Sequence, residues 1–397
     1  MLFRSLITVR EVGIYILEVP TGILADVTGR RRAMVLSFSA YLASFALFTL
    51  GDHYGVFVAG MVLFALGEAL RSGTHKAMIM EHLELEGLTG EKVHYYGFTR
   101  SMSRLGAAVS ALAVGVFAFS GGGYEAIFPA TMVPYLLAIG LMLTYPKRLD
   151  GDPEGEETER GEDASDAASS SGPTSAGSTP LLKRIWRHTV ESTKSLFQTP
   201  ELGKVVTNAA VFDAFFRVAK DYLQPVLQAL ALALPLSFLH ADSQQETFLV
   251  LGVVYFFVYM NSFVSSRYSG VFVERTPNLV GALNRLYLGM AAVFFTAFVA
   301  LYFGWEALAV AVLFFLYTLY NLRKPAVVGY LSERIPKKRR ATLLSMENQL
   351  RALFAGIAAP LLGLVADHPH LGIPWVFLFA GLAMVATATF LRLKKKS

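Results

Sequence analysis

The side chains best suited to chemistry form a charged group inside an apolar segment of the second half of the chain. Asp213, Arg217, Lys220 and Asp221 are spaced by three and four residues, which places the first two and one of the last two on one helix face. A charge inside a membrane-crossing segment costs about 2.5–3.5 kcal/mol on insertion scales, so it generally marks function. This face would bind a polar or ionic solute or relay protons. Because its signs alternate, it equally fits a salt-bridge ladder that is only structural.

A second charged group lies in the third apolar segment. Glu68, Arg71 and His75 share one helix face, and Lys76 lies close to it. We predict that Glu68 and Arg71 face a cavity. The alternative, that these side chains reach to the lipid headgroups, is strongest for Lys76 and its counterpart Lys324, since both lie near an end of their segment.

Polar uncharged residues form a third group of cavity candidates. Tyr255, Tyr259 and Asn261 lie close together in one segment, as do Tyr317 and Asn321 in another. Tyrosines that face a cavity bind aromatic or hydroxylated solutes. Most tyrosines in a membrane protein instead serve packing or the interfacial belt, so both interpretations stay open.

No metal site, cofactor or enzymatic centre is predicted. The chain has no cysteine, and His75 and His82 are seven positions apart on a helix without two further ligands beside them. There is no P-loop, no glycine-rich dinucleotide fingerprint and no nucleophile elbow. An ATP-driven pump is therefore not indicated, and energy for transport would come from an ion gradient or from the gradient of the solute.

The composition is typical of a membrane protein. Apolar residues make up 54% of the chain, charged residues 16%, and the mean hydropathy is +0.47. These values exclude an ordinary water-soluble domain. The net charge of +5 comes from basic residues at the ends of apolar segments, so it reflects topology rather than a nucleic-acid partner.

The charged groups must be positioned by membrane-crossing helices. A helix that crosses a bilayer needs about 20 mainly apolar residues. Eleven such segments are present, five before a long polar break and six after it. They fall near residues 5–25, 33–51, 54–80, 97–119, 124–145, 202–238, 247–268, 279–303, 306–331, 341–366 and 373–392.

The polar break covers residues 147–200 and separates two predicted domains, 1–146 and 201–397. Its first part, Asp150–Asp166, is acidic and is followed by a Ser/Ala/Gly/Pro tract that cannot bury apolar surface, so disorder is expected. Its last part, Leu181–Phe197, mixes basic and apolar residues and predicts an amphipathic helix on the membrane surface.

Lys and Arg fall on alternate turns between the apolar segments. Cytoplasmic turns carry an excess of these residues, so we expect the polar break and the C-terminus to be cytoplasmic and the protein to cross the cytoplasmic membrane. The basic turns contain Arg30–Arg32, Lys147 with Arg148, Arg267 with Arg275, Arg334–Arg340 and Arg392–Lys396.

The first of these turns carries a motif. Gly22, Asp26, Gly29, Arg30 and Arg31 stand in the pattern G-x-L-A-D-x-x-G-R-R. This pattern resembles the loop between the second and third helices of the major facilitator superfamily. The resemblance implies an all-α membrane fold with two pseudo-symmetric helix bundles. Against the twelve helices of that architecture the chain has about eleven, and the missing one would be the first.

The resemblance also implies a conformational latch at this turn. Asp26 would pair at a helix end while Arg30 and Arg31 bridge to neighbouring helices, and these contacts would break in the other conformation. Gly22 permits close helix approach and Gly29 permits the tight turn. The alternative is that the arginines only set the topology. Further parts of the cytoplasmic gate are predicted at Arg100, Arg104, Glu347 and Arg351.

Two short matches relate the halves of the chain. Lys76–Leu83 is similar to Lys324–Leu331, and Ser101-Met102 is similar to Ser345-Met346. Both lie between the fourth and fifth helices of a half in the full count. Parallel repeats of this kind are the architecture of the superfamily.

The function implied by the resemblance is secondary transport of a small solute by alternating access, with proton coupling as one option. Drug or amphiphile efflux and uptake of an ionic nutrient both remain open. No arginine stands in the stretch Met61–Gly67 and no proline in Gly106–Gly115, which weakens a drug/proton antiporter assignment. A membrane sensor or scaffold that keeps the fold without transporting is the other alternative. The expected partners are the lipid bilayer, the solute and a coupling ion, and we expect a monomer.

Overall fold

The computed structural model describes residues 2–119, 126–149, 200–222, 225–226, 243–333 and 340–393. Within these ranges the chain forms long α-helices and short connections, and no strand occurs in them. The helices are α1 (Leu2–Thr28), α2 (Arg30–Leu50), α3 (Tyr54–Leu85), α4 (Lys92–Phe119), α5 (Ile127–Thr144), α6 (Pro200–Asp221), α7 (Ser243–Arg267), the short α8 (Ser269–Glu274), α9 (Leu279–Tyr302), α10 (Glu306–Ser332), α11 (Arg340–Ala366) and α12 (Ile373–Leu391).

A helix lies over each of the eleven predicted segments, although the described part of the sixth helix ends at Asp221. Among the described residues, eight helices are long and apolar enough to cross a membrane: α2, α3, α5, α7, α9, α10, α11 and α12. Helices α1, α4 and α6 are not among these eight. Each of them contains several charged side chains within its described residues.

The contacts divide the chain into two compact units. Unit 1 comprises Met1–Gly87, Phe128–Pro200 and Ile335–Gln349. Its helices α2 and α3 approach closely at small residues, where Ser37 Oγ donates to the Gly67 carbonyl at 2.6 Å and Ser44 Oγ donates to the Gly60 carbonyl at 2.8 Å. Small residues let helix backbones approach in a membrane, where no hydrophobic force drives helices together.

Unit 2 comprises Leu88–Ile127, Glu201–Arg334 and Leu350–Ser397. Its helices α4 and α7 cross at small residues, and a Cβ added to Gly252 would lie 2.9 Å from Gly115 Cα. The core of the unit is aromatic and aliphatic. It includes Phe212, Tyr287, Phe294, Phe377 and Met384, which are all buried.

This grouping by contact differs from the order of the helices along the chain. Helix α4 belongs to unit 2, and α11 contributes its first residues, up to Gln349, to unit 1 and the rest to unit 2. The division into bundles 1–146 and 201–397 stays a prediction. The greater part of the predicted linker, 150–199, with its amphipathic helix, lies outside the described residues.

Candidate functional site

Unit 2 contains a cavity of about 830 Å³ between five of its helices. Four predicted residues of α6 and three predicted tyrosines line it, together with two arginines that were expected in the gate. Charged side chains reach it from α4, α6 and α11. The predicted residues that line it are Asp213, Arg217, Lys220, Asp221, Tyr255, Tyr259, Tyr317, Arg104 and Arg351.

The two acidic residues of the cavity wall are both held by lysines. Asp213 forms an ion pair with Lys324 of α10, and the two side chains are only 2% and 4% exposed. At the end of α6, Lys220 Nζ lies 2.8 Å from Asp221 Oδ1. Asp213 therefore pairs with a neighbouring helix in addition to any neighbour along α6, so a purely intrahelical ladder does not describe this face.

The aromatic wall of the cavity comes from α6, α7 and α10. The rings of Phe216 and Tyr320 stack in parallel with their centroids 3.8 Å apart, and Tyr317 meets Phe216 edge-on at 5.1 Å. Tyr255 and Tyr259 lie one turn apart and stack at 6.1 Å. The wall thus offers apolar ring faces together with phenolic hydroxyls, which suits a solute with a ring or several hydroxyls.

Asn261 and Asn321 were expected at the cavity, but neither lines it. Asn321 Nδ2 donates to Ser262 Oγ at 3.0 Å, and Asn321 Oδ1 accepts from Arg100 at 3.3 Å. Asn261 Nδ2 donates to the Phe314 carbonyl at 2.9 Å. These amides connect α7, α10 and α4 because a buried amide in a membrane needs protein partners for its hydrogen bonds.

Glu68 and Arg71 belong to unit 1 and are not among the residues that line the cavity of unit 2. Arg71 Nη2 donates to Glu68 Oε1 at 2.9 Å, and Tyr41 Oη donates to Glu68 as well. Tyr41 is 1% exposed and packs on Tyr135 and Phe64 at 5.0 Å each. The result is an ion pair of α3 fixed by a buried tyrosine of α2.

The turn between α1 and α2 brings its motif residues together. Arg30, 4% exposed, lies 3.4 Å from Asp26 and 3.2 Å from Glu81 at the end of α3. Arg31 donates to the Tyr145 carbonyl at 3.0 Å, beyond the end of α5. Gly29 has φ 100°, a backbone conformation that favours glycine. The geometry matches the bridging expected for a latch, and the latch role itself stays a prediction.

The headgroup alternative does not fit Lys76 and Lys324. Both are buried, Lys76 beside Glu347 and Lys324 beside Asp213. Inside the protein each ammonium has a carboxylate partner, which offsets its desolvation better than a long stem reaching outward would. Related positions of the two halves therefore have the same arrangement, in which a buried lysine forms an ion pair with an acidic residue of another helix.

A buried polar network around Lys76 was only partly foreseen. Lys76 Nζ donates to Asn348 Oδ1 at 3.2 Å, and Asn348 Nδ2 donates to Glu18 Oε1 at 2.8 Å. Ser72 Oγ donates to the same oxygen of Glu18. Glu18 is a charge in the middle of an apolar segment, and the rule that marked Asp213 would have marked it too.

Arg323, the neighbour of Lys324 on α10, is another buried cation. Its side chain is 1% exposed, donates to Asn208 Oδ1 and lies 4.1 Å above the Phe212 ring. Asn208 in turn donates to the Leu391 carbonyl at 2.9 Å. These contacts join α6, α10 and α12, so Arg323 is a packing residue of unit 2.

A family model described as Major Facilitator Superfamily matches residues 2–353. No curated protein matches the chain. Solved structures with a similar fold include the proton:xylose symporter XylE bound to 6-bromo-6-deoxy-D-glucose, with a TM-score of 0.67, 15% identity and coverage of 98% of this chain and 85% of that chain.

Two further structures are similar over nearly the whole chain. A bacterial homologue of the iron transporter ferroportin in an outward-facing state has a TM-score of 0.62 and 13% identity, and the match covers 99% of this chain and 89% of that one. The E. coli fucose:proton symporter FucP has a TM-score of 0.60 and 14% identity, with 99% and 90% covered. Identities this low show the fold alone, and the predicted all-α membrane fold is confirmed.

Proposed function

Because this chain belongs to the Major Facilitator Superfamily, a family of secondary transporters, we propose that it carries a small polar or ionic solute across the cytoplasmic membrane by alternating access. The solute's path runs through the cavity of unit 2. The chain is a multi-pass membrane protein, and its C-terminus and its 147–200 segment lie on the cytoplasmic side in this proposal.

The observation that supports the proposal most is the charged cavity itself. Several ionisable side chains line one cavity of membrane-crossing helices, although each is expensive to keep there. A solute that carries charge or hydroxyls offsets this cost when it binds. A scaffold that binds no solute has no need of such a cavity, whereas a sensor would bind its solute there without moving it, and counterflow distinguishes a sensor from a transporter.

Two buried contacts in unit 1 supply the moving gate in this proposal. The first joins Arg30 with Asp26 and Glu81, and the second joins Lys76 with Glu347. Alternating access requires contacts that hold one state and break in the other. Arg100 lies 5.2 Å from the Tyr320 ring, next to the cavity, and couples the gate candidates of α4 to the binding wall.

Proton coupling has a candidate site at the pair of Asp213 and Lys324. The carboxylate lines the cavity, whereas the lysine is outside the lining set and holds it from behind. Protonation of Asp213 would weaken the pair and change the charge that the solute meets. This arrangement links a proton to solute binding through one acid.

Counterflow tests the proposal. The purified chain is reconstituted into liposomes that are preloaded with one unlabelled solute, and the transient accumulation of the same labelled solute is followed in either direction. We expect accumulation for at least one member of a panel of sugars, amino acids, organic acids and cationic drugs. Solute-induced thermal stabilisation without any counterflow would instead favour the sensor, and neither signal with any solute would contradict transport.

A further inference from the structure

We infer, on the basis of the proposed function, that the transported solute is an organic anion. Its carboxylate or phosphate group is held by the arginines of the unit 2 cavity, and its ring or hydroxylated body rests on the tyrosines. The inference rests on the charges of the cavity wall, on how its acids are engaged and on the shape of its aromatic side.

Among the described residues of the cavity wall, positive charges outnumber negative ones. Three arginines and Lys220 line this part of the wall, against two aspartates. Each aspartate is held by a lysine, Asp221 by Lys220 at 2.8 Å and Asp213 by Lys324. The other cations of the described wall are guanidinium groups. A guanidinium presents a planar fork of donors that matches a carboxylate or a phosphate.

Arg104 is the arginine that the structure marks most clearly. It lines the cavity, is half-buried, and takes part in none of the ion pairs found within the described parts of the chain. Arg100 stands one turn before it on α4, so two guanidiniums lie close together in apolar surroundings. An anion bound at Arg104 would offset this like-charge repulsion and replace the lost hydration.

The rest of the wall fits the body of such a solute. Tyr255, Tyr259, Tyr317 and Tyr320 bring four rings and four hydroxyls to one cavity, and Phe216 adds an apolar face. A volume of about 830 Å³ accommodates one or two rings. A cationic amphiphile, the alternative carried over from drug efflux, would meet like charge on this wall and bind poorly.

Solutes that share a body and differ in charge test the inference on the purified full-length protein. One set is D-glucose, D-glucosamine, D-glucuronate and D-glucose 6-phosphate, and the other is benzyl alcohol, benzylamine, benzoate and benzyl phosphate. Thermal shift measures binding and counterflow measures transport. We expect at least one carboxylate or phosphate to raise the melting temperature and to exchange, and its neutral and cationic relatives to do neither.

Variants of Arg104 test whether this arginine of the cavity wall binds the anion. Arg104→Gln should weaken binding of the anion about tenfold or more, because a charge-assisted hydrogen bond is lost, and Arg104→Lys should weaken it less. Arg285→Gln, a matched change at an exposed arginine of unit 2 outside the cavity, should leave binding unchanged.

The outcomes separate the two proposals. Exchange of neutral or cationic members without the anions would overturn the anion inference and leave transport standing. Binding of an anion that never exchanges would support the anion site and contradict transport. An equal loss of binding in Arg104→Gln and Arg285→Gln, or no response to any anion, would also overturn the inference.

Discussion

Lys76 Nζ lies 3.6 Å from Glu347 Oε2, and the side chains of this pair are 11% and 1% exposed. The contact ties the last third of α3 to the first turns of α11. Removal of one partner from a buried ion pair leaves an uncompensated charge, which costs about 3–5 kcal/mol, whereas loss of both is often nearly neutral. The pair is thus a structural tie as well as a gate candidate.

Lys76→Met should lower the melting temperature of the purified protein by several degrees, since it removes an ammonium group that faces the buried Glu347 carboxylate. The double variant Lys76→Met/Glu347→Gln should recover most of the loss. Glu86→Gln breaks the exposed pair with Arg148, whose atoms are 2.8 Å apart, and should change the melting temperature little. Equal losses in the single and double variants would show that the two charges are not coupled.

Asp26→Asn should shift the balance between inward-open and outward-open states and leave solute binding intact, because Arg30 loses one of its two carboxylate partners. Reactivity of single cysteines with a water-soluble probe from each side of the membrane measures the balance. Arg32→Gln is the control, since that side chain is exposed. An unchanged reactivity pattern in Asp26→Asn would leave the turn with a topological role only.

Asp213→Asn should abolish solute accumulation driven by a pH gradient and keep counterflow, because the proton site is lost while the cavity remains. Lys324 would be left buried without its carboxylate, so the companion Asp213→Asn/Lys324→Gln distinguishes unfolding from uncoupling. Proton coupling is measured as the amount of labelled solute that accumulates under an imposed pH gradient. Normal pH-driven accumulation in a well-folded double variant would remove Asp213 from coupling.

Gly252→Ala should destabilise the protein by about 1–3 kcal/mol, as overpacking usually does. Its Cβ would lie 2.9 Å from Gly115 Cα and 3.1 Å from the Ala111 carbonyl oxygen, so α4 and α7 would have to separate. Gly106→Ala on α4 is the matched control, because a Cβ there meets nothing within 4 Å. Thermal unfolding in detergent compares the two, and equal melting temperatures would contradict the close crossing.

The helices and the charged face of α6 could be predicted from sequence because apolar length and charge inside an apolar segment are local signals. The ion-pair partners of these charges could not be predicted, since they depend on which helices pack together. Asp213 lines the cavity, but its partner Lys324 is 111 positions away. Glu18 was not among the residues predicted from the sequence, although the cost of burying a charge applies equally in its segment.

The placement of Arg104 shows the same limit. Its position near the start of an apolar segment predicts a gate, which stays a prediction, and the structure also puts it in the wall of the cavity. Its helix α4 packs against α7 through Gly252 and Gly115. A crossing of small residues between helices distant in sequence leaves no periodic signal in either one alone.

In the proposed mechanism, the solute's path runs through the unit 2 cavity, which opens to each side of the membrane in turn. The chain has no cysteine, so Ser110→Cys places one thiol in the cavity wall, and Ser262→Cys, at a buried hydrogen-bonded site, is the control. We predict that a membrane-impermeant maleimide labels the Ser110→Cys variant in both right-side-out and inside-out vesicles. A transported solute should slow this labelling. The Ser262→Cys variant should stay unlabelled. Labelling of the Ser110 variant from one side only, unaffected by any transported solute, would contradict the claim.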